Sequence, residues 1–436
     1  MSINRWLNRL WVLIKFRSPA IGVRDFRLFW FGEGVSAIGT QMQFVALNWH
    51  LYSLLKDQTT IWSIFGWEIA LDSGTLGLGG LGLVRVLPIM IFALVGGILA
   101  DKFERRRLLI WVYVISASVV SVLAALSYFE RDSATVIYVV SAILAATSAI
   151  INPSRQSLVP NLVPKKLMTN AISLNTVIFQ IGTVGGPAVA GLLLVYFNEW
   201  LVYLIDALTF GAAIASLVLM NHRSKAASSE PFSWRMAGEG LRFTYNNKML
   251  WGSIMLDFCA TFFGSARYML PAIADQLLGV GEAGYGILST AQPVGALITG
   301  FVMSTIRDIR RQGWAMFGGV ALFGVATAIF GVSSIFWLSY LMFALTGVGD
   351  TVSMVVRGTL RQLATPDHLR GRATSVSMIF FMGGPQLGEL EAGLVAAFLG
   401  VPFAIASGGV AVVVFTAWIA WRYPMLRNYE LDQLTG

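Results

Sequence analysis

The chain has 436 residues, of which 56% are hydrophobic and only 12% charged, an inventory that excludes a soluble globular protein and makes the bilayer its solvent. The formal charge of +8 would suit a nucleic-acid binder, but the basic residues collect on one side of the predicted spans, so the charge is read as topology and nucleic-acid binding is set aside. One cysteine, Cys259, allows no internal disulfide, and His50, His222 and His368 are too scattered in sequence to argue for a metal, so neither a metal nor a cofactor is expected.

Residues 1–27 form a basic segment with Arg5, Arg9, Lys15, Arg17, Arg24 and Arg27 and no signal-peptide pattern, expected to stay in the cytoplasm. Apolar runs of about twenty residues then predict six spans, at roughly 28–55, 78–100, 107–129, 134–153, 168–197 and 200–220. A polar linker, 221–247, separates them from six more at roughly 248–274, 284–306, 313–334, 336–356, 372–399 and 401–421, with a cytoplasmic tail at 422–436. The predicted fold class is an all-α membrane protein of twelve transmembrane helices in two six-helix bundles, 28–220 and 248–421. Barrel strands would alternate over about ten residues and are excluded by these uninterrupted runs. Residues 56–77, with Trp62, Trp67, Glu68 and Asp72, are an insertion expected to lie as a short amphipathic segment on the outer interface.

The two sets are a duplication. Arg155, Leu158, Pro164, Leu167, Ala171, Gly182 and Gly191 recur in register as Arg357, Leu360, Pro366, Leu369, Ala373, Gly384 and Gly393, the signature of a half-protein repeated in a membrane. Basic residues orient it. Lys102, Arg105, Arg106 and Arg107 follow span two, Arg155, Lys165 and Lys166 follow span four, and Arg307, Arg310, Arg311, Arg361, Arg370 and Arg372 mark the second half. The far side holds only Lys56, Arg85, Arg131 and Arg267. Both termini and the linker are therefore expected inside.

The loop after span two runs from Gly97 through Asp101 to Arg105, Arg106 and Arg107. It resembles the signature loop of the major facilitator superfamily. Physically, Gly96 and Gly97 admit a neighbouring helix, Asp101 can face the positive N-terminal end of that helix, and the arginines can hold a cytoplasmic gate shut. For the arginines individually, simple positive-inside topology explains them as well. The matching loop of the second half, 300–311, has no aspartate at the early place, so the lock is expected on one half only.

In span five, Gly182, Gly186, Pro187 and Gly191 resemble the glycine-proline signature of exporter branches of that superfamily, although Ala190 departs from the usual paired glycines. Proline bends the helix and glycines let two helices seal tightly; ordinary small-residue packing is the competing reading. Residues 265–275 and 360–372 resemble the clade of bacterial enterobactin exporters and macrolide and other drug efflux pumps. The resemblance implies a monomeric transporter of the bacterial inner membrane, working by alternating access and exchanging protons for an exported siderophore or similar secondary metabolite. Broad macrolide or multidrug efflux, uptake, and a non-transporting scaffold or sensor are the alternatives. No phosphate-cradling loop points to ATP, and no nucleophile with a base or metal cluster points to an enzyme.

Acids inside spans are costly in lipid and count as functional candidates. They are Glu33, Asp206, Asp257, Asp350, Glu389 and Glu391. In the superfamily, spans one, four, seven and ten line the central cavity, which by resemblance ranks Glu33, Asp257 and Asp350 for substrate or proton binding. Glu389 joins them. It follows the Gly383-Gly384-Pro385 kink and, two residues from Glu391, points to a different helix face. Asp206 is expected to be structural, satisfied by Tyr203 and Thr209. Arg155 and Arg357, being repeat-equivalent, are expected to pair with carboxylates or helix ends at the cytoplasmic gate. Arg85 and Arg267 stay open between snorkelling to headgroups and attracting an anion. Phe262, Phe263, Tyr268, Phe380 and Phe381 could stack an aromatic ligand or simply pack.

Overall fold

In lipid every backbone polar group must find its partner within the chain, so long apolar runs fold as helices. The computed structural model describes residues 18–64, 67–102, 104–221, 234–306, 309–366 and 370–429. Twelve long helices occupy the places of the twelve expected spans. The first six are Arg24–Leu55, Ser73–Lys102, Arg105–Tyr128, Ala134–Leu162, Met168–Tyr196 and Glu199–Leu219. The second six begin at Lys248–Phe263 and continue with Gly281–Thr305, Gln312–Val332, Phe336–Ala364, Arg370–Leu399 and Val401–Arg422. Among the described residues, ten helices are long and apolar enough to cross a membrane. Spans one and eleven reach 32 and 30 residues but are diluted by polar residues, among them Glu33, Gln41, Gln43, Asn48 and His50 in one and Gln386, Glu389 and Glu391 in the other.

The duplication survives in the bends. Proline lies inside spans two and eight, at Pro88 and Pro293, and inside spans five and eleven, at Pro187 and Pro385, each removing one helical hydrogen bond. Span seven departs from the continuous helix expected. It stops at Phe263, tightens into a 3-10 turn at Ala266–Met269, and ends in a π-helical turn at Ile273–Leu277. Within the linker, Trp234–Asn246 forms a helix that packs on spans seven and eleven.

The insertion corrects its expectation. Instead of an amphipathic segment it is an antiparallel hairpin, Thr59–Ile64 against Trp67–Asp72, with Thr60 opposite Leu71 and Ile61 opposite Ala70. The period-two alternation of Trp67-Glu-Ile-Ala-Leu-Asp72 is a strand signal that overrides the amphipathic composition. Asp72 then starts span two, its Oδ1 accepting the Gly74 backbone N–H at 2.9 Å.

Contacts divide the described chain into two units, with breaks after Ala46, Met90, Asp132, Tyr138 and Pro231. The first gathers spans three, five and six with most of span four and the parts of spans one and two nearest the basic loops. Within it span three packs along span six, and Tyr113 lies against Phe210 at 5.8 Å between ring centroids. The second unit holds all of spans seven to twelve, the hairpin, the ends of spans one and two remote from the basic loops, and the first turn of span four. Its core joins Leu256, Phe317, Phe323, Val356, Leu360 and Val412 from spans seven, nine, ten and twelve.

Span two meets span eleven inside the second unit at glycines. A Cβ on Gly393 would lie 2.4 Å from the Gly79 Cα, and one on Gly79 would lie 2.9 Å from the Gly393 Cα, so these helices touch backbone to backbone. Gly393→Val is expected to force them apart and destabilise the protein by about 1–3 kcal/mol. An unchanged thermal unfolding midpoint in detergent micelles would show that the contact is loose.

Candidate functional site

Each repeat holds an arginine of its fourth helix against a carboxylate of its first. In the first unit, Arg155 of span four donates from Nη1 to Glu33 Oε2 of span one at 3.4 Å. Tyr113 of span three donates its hydroxyl to Glu33 Oε1. Glu33 is only 4% exposed, so its charge depends on these two partners. The Arg155 guanidinium also lies 5.8 Å over the Phe179 ring of span five. In the second unit, Arg357 of span ten pairs with Asp257 of span seven and, at 3.8 Å, with the half-exposed Asp350 about two turns earlier on its own helix. Three of the acids ranked from sequence thus fall on the two repeat-equivalent arginines.

The fourth ranked acid, Glu389, forms a third pair. It is fully buried in span eleven, and Arg85 of span two donates to its Oε1 at 3.3 Å. Arg85 also donates to Asn48 Oδ1 of span one at 3.4 Å. Glu389 Oε2 has no hydrogen-bond partner among the described residues. Gly82 sits over the pair, where a Cβ would lie 2.8 Å from the Glu389 Cβ. Arg85 therefore does not snorkel to headgroups; its partner is a buried acid, an outcome that neither open reading named. Glu391 makes no ion pair among the described residues, in keeping with its different helix face.

Asp206 is fully buried, and Thr209 donates to its Oδ1 at 3.2 Å, while Oδ2 has no hydrogen-bond partner among the described residues. In span five, the glycines meet span one closely. A Cβ on Gly186 would lie 2.6 Å from Gln41 Cβ, and one on Gly182 would lie 3.2 Å from the Ala37 carbonyl carbon. Pro187 and Gly191 are buried beside them. Arg105 donates to the Ser157 carbonyl of span four at 3.0 Å, and Arg106 to the Leu217 and Val218 carbonyls closing span six at 2.6 and 2.9 Å. Such contacts satisfy the orphan carbonyls of a helix end. Gly97 and Asp101 lie in the last turns of span two, and their surroundings fall outside the described residues, as do Arg307, Asp308 and the stretch around His368.

Residues 19–435 match the family model described as transmembrane secretion effector. The chain belongs to this family of major facilitator transporters. It is 25% identical over 349 residues to the staphyloferrin A transporter of Staphylococcus aureus, covering 78% of this chain and 85% of that one. It is 27% identical over 331 residues to the enterobactin exporter EntS of Shigella dysenteriae, covering 72% and 76%. Among solved structures, a bacterial homologue of the lysosomal transporter Spinster aligns with a TM-score of 0.68 at 14% identity, covering 94% of this chain and 98% of the other. A bacterial homologue of the iron transporter ferroportin aligns equally well, with a TM-score of 0.68 at 14% identity and 91% and 98% covered. These likenesses carry the fold, a multi-pass membrane protein of twelve helices in two pseudo-symmetric six-helix bundles.

Sequence reasoning missed several partners in this transporter. Tyr113 and Asn48 are ordinary polar residues of apolar helices, with no spacing that marks them. A clasp was also missed. Asp275 of the π-helical turn accepts from Lys56 at 3.2 Å and from the Tyr52 hydroxyl at 3.1 Å, and Asp72 of the hairpin accepts from Gln276 at 2.9 Å. The clasp ties span one and the hairpin to span seven, a pairing between residues more than two hundred positions apart.

Proposed function

We propose that this transporter exports a siderophore or similar secondary metabolite across the bacterial inner membrane in exchange for protons, with both termini cytoplasmic. The carrying observation is the repeated arginine–carboxylate pair, Arg155 with Glu33 and Arg357 with Asp257. A proton on the carboxylate, or an anionic group of the cargo on the arginine, competes with the same ion pair. Proton and cargo therefore act on the same ion pair, which couples the two, and the outward direction is supported by the likeness to the enterobactin exporter. Arg85 with Glu389 extends the logic to the outer side, where spans one, two and eleven are held together by a charge that a proton can remove. The likeness to two siderophore transporters supports the cargo class.

Broad drug efflux is the second reading, supported by the half-exposed Phe381 and Met354 near Asp257. Acid-loaded inverted membrane vesicles with a pH-sensitive dye separate the two. An iron-free catecholate siderophore is expected to dissipate the gradient, and Asp257→Asn to weaken the response. A response to a macrolide alone transfers support to drug efflux, and no response to either removes proton exchange with both ligand classes.

A further inference from the structure

Beside the Asp257–Arg357 pair, a cavity of about 180 Å³ opens between spans seven, ten and eleven and the linker helix. All its walls belong to the second unit. Of its charged lining residues, Asp257 pairs with Arg357, which also meets Asp350 at 3.8 Å, while Arg361, four residues on and hence on the same face of span ten, has no carboxylate within ion-pair distance among the described residues. Arg361 is therefore a guanidinium on the cavity wall that no ion pair among the described residues occupies.

Its hydroxyls are not equivalent. Ser253 donates to the Leu250 carbonyl and Ser377 to the Ala373 carbonyl, so their protons are used within their own helices. Thr244 of the linker helix is 1% exposed, and its hydroxyl has no hydrogen-bond partner among the described residues, which leaves it as a donor on the cavity wall. The remaining wall is apolar and adaptable, with Met354 and Phe381 about half exposed at 48% and 47%. Whole-ligand sites run to about 300–1,000 Å³, so this volume suits a head group rather than an entire cargo molecule.

We propose that this cavity binds the oxyanionic head of an organic anion, with Arg361 as its charge partner, the Thr244 hydroxyl as a second donor, and Met354 and Phe381 against the apolar body. The assignment deepens the export reading by making the cargo an amphipathic organic anion, and it rests on that reading only for what the occupant is. An acidic lipid offers the same oxyanion through its phosphate. The cargo is favoured because Asp257 and Arg357, the pair that cargo must disturb, form the adjoining wall.

The test is binding of benzoate, with its neutral isostere benzamide as control, to the full-length protein in phosphatidylcholine nanodiscs by isothermal titration, with no gradient and no transport. Benzoate is expected to bind and benzamide at least about tenfold more weakly, since a charge-assisted hydrogen bond is lost. Arg361→Gln is expected to lose about tenfold in benzoate affinity, Arg361→Lys to keep most of it, and Thr244→Val to lose a few-fold. Equal binding of benzoate and benzamide, or unchanged affinity in Arg361→Gln, overturns the proposal. If Arg361→Gln does not yield a monodisperse protein, Thr244→Val decides by the same criterion. Loss of benzoate binding in phosphatidylglycerol-containing discs gives the cavity to lipid and overturns the cargo assignment. Failure of the vesicle experiment leaves this binding result standing, and the converse also holds.

Discussion

Replacing Arg85 by methionine is expected to destabilise the transporter by about 3–5 kcal/mol, because it strands the Glu389 carboxylate in a site with no exposure. Asn48, which now accepts from Arg85, cannot substitute, since its amide turned to donate from Nδ2 supplies no counter-charge to the carboxylate. Thermal unfolding in detergent micelles reads the loss. The double variant Arg85→Met with Glu389→Leu is expected to recover most of the stability, because two apolar side chains of similar volume need no solvation. Transport in vesicles is expected to stay low in the double variant, since a closure held by apolar contact alone carries no charge that a proton can remove. Recovery of transport together with stability would make the pair a structural element and take the outer side out of the coupling scheme.

Glu33→Gln is expected to separate function from folding most cleanly. Glutamine keeps the shape and can still accept the Tyr113 hydroxyl, and Arg155, 18% exposed at its side chain, keeps Asn152 Oδ1 at 3.5 Å, so the fold is retained. The charge facing Arg155 disappears. Gradient-driven cargo movement is expected to fall by about 10–100-fold, the equivalent of one charge-assisted contact, with an unfolding midpoint close to that of the parent. Asp257→Asn is its counterpart in the second repeat, though there Asp350 remains 3.8 Å from Arg357 as a substitute partner. A smaller loss is therefore expected than in Glu33→Gln. Wild-type rates with intact dependence on the proton gradient in both variants would reduce the two pairs to structural contacts.

Such pairs matter because an ionised side chain in a membrane protein must find its counter-charge inside the protein. The repeated scaffold supplies it twice, and the third pair is added outside the repeat relation. The glycine contacts of span five with span one, and of span two with span eleven, serve a neighbouring need. They bring backbones together closely enough that the charged residues beside them are kept from lipid.

Much of this was legible in the chain alone. Helix number and approximate place follow from apolar run length, because in lipid a run of that length has only one way to satisfy its backbone. The duplication and the pairing of Arg155 and Arg357 with carboxylates follow from repetition, and the acids inside spans stand out by the cost of burying charge, while the ranking of Glu33, Asp257 and Asp350 for substrate or proton binding comes from the family resemblance. Which carboxylate meets which arginine is a tertiary fact. Glu33 and Arg155 lie on different helices, and no local pattern relates them. Arg85 shows the limit best, since snorkelling and burial differ only in whether an acid from span eleven arrives beside it. The hairpin at Thr59–Ile64 and Trp67–Asp72 had a period-two signal that its mixed aromatic and acidic composition outweighed. The clasp through Asp275, and the cavity holding Arg361 and Thr244, required the folded chain, because each is assembled from segments that only helix packing brings within hydrogen-bond reach.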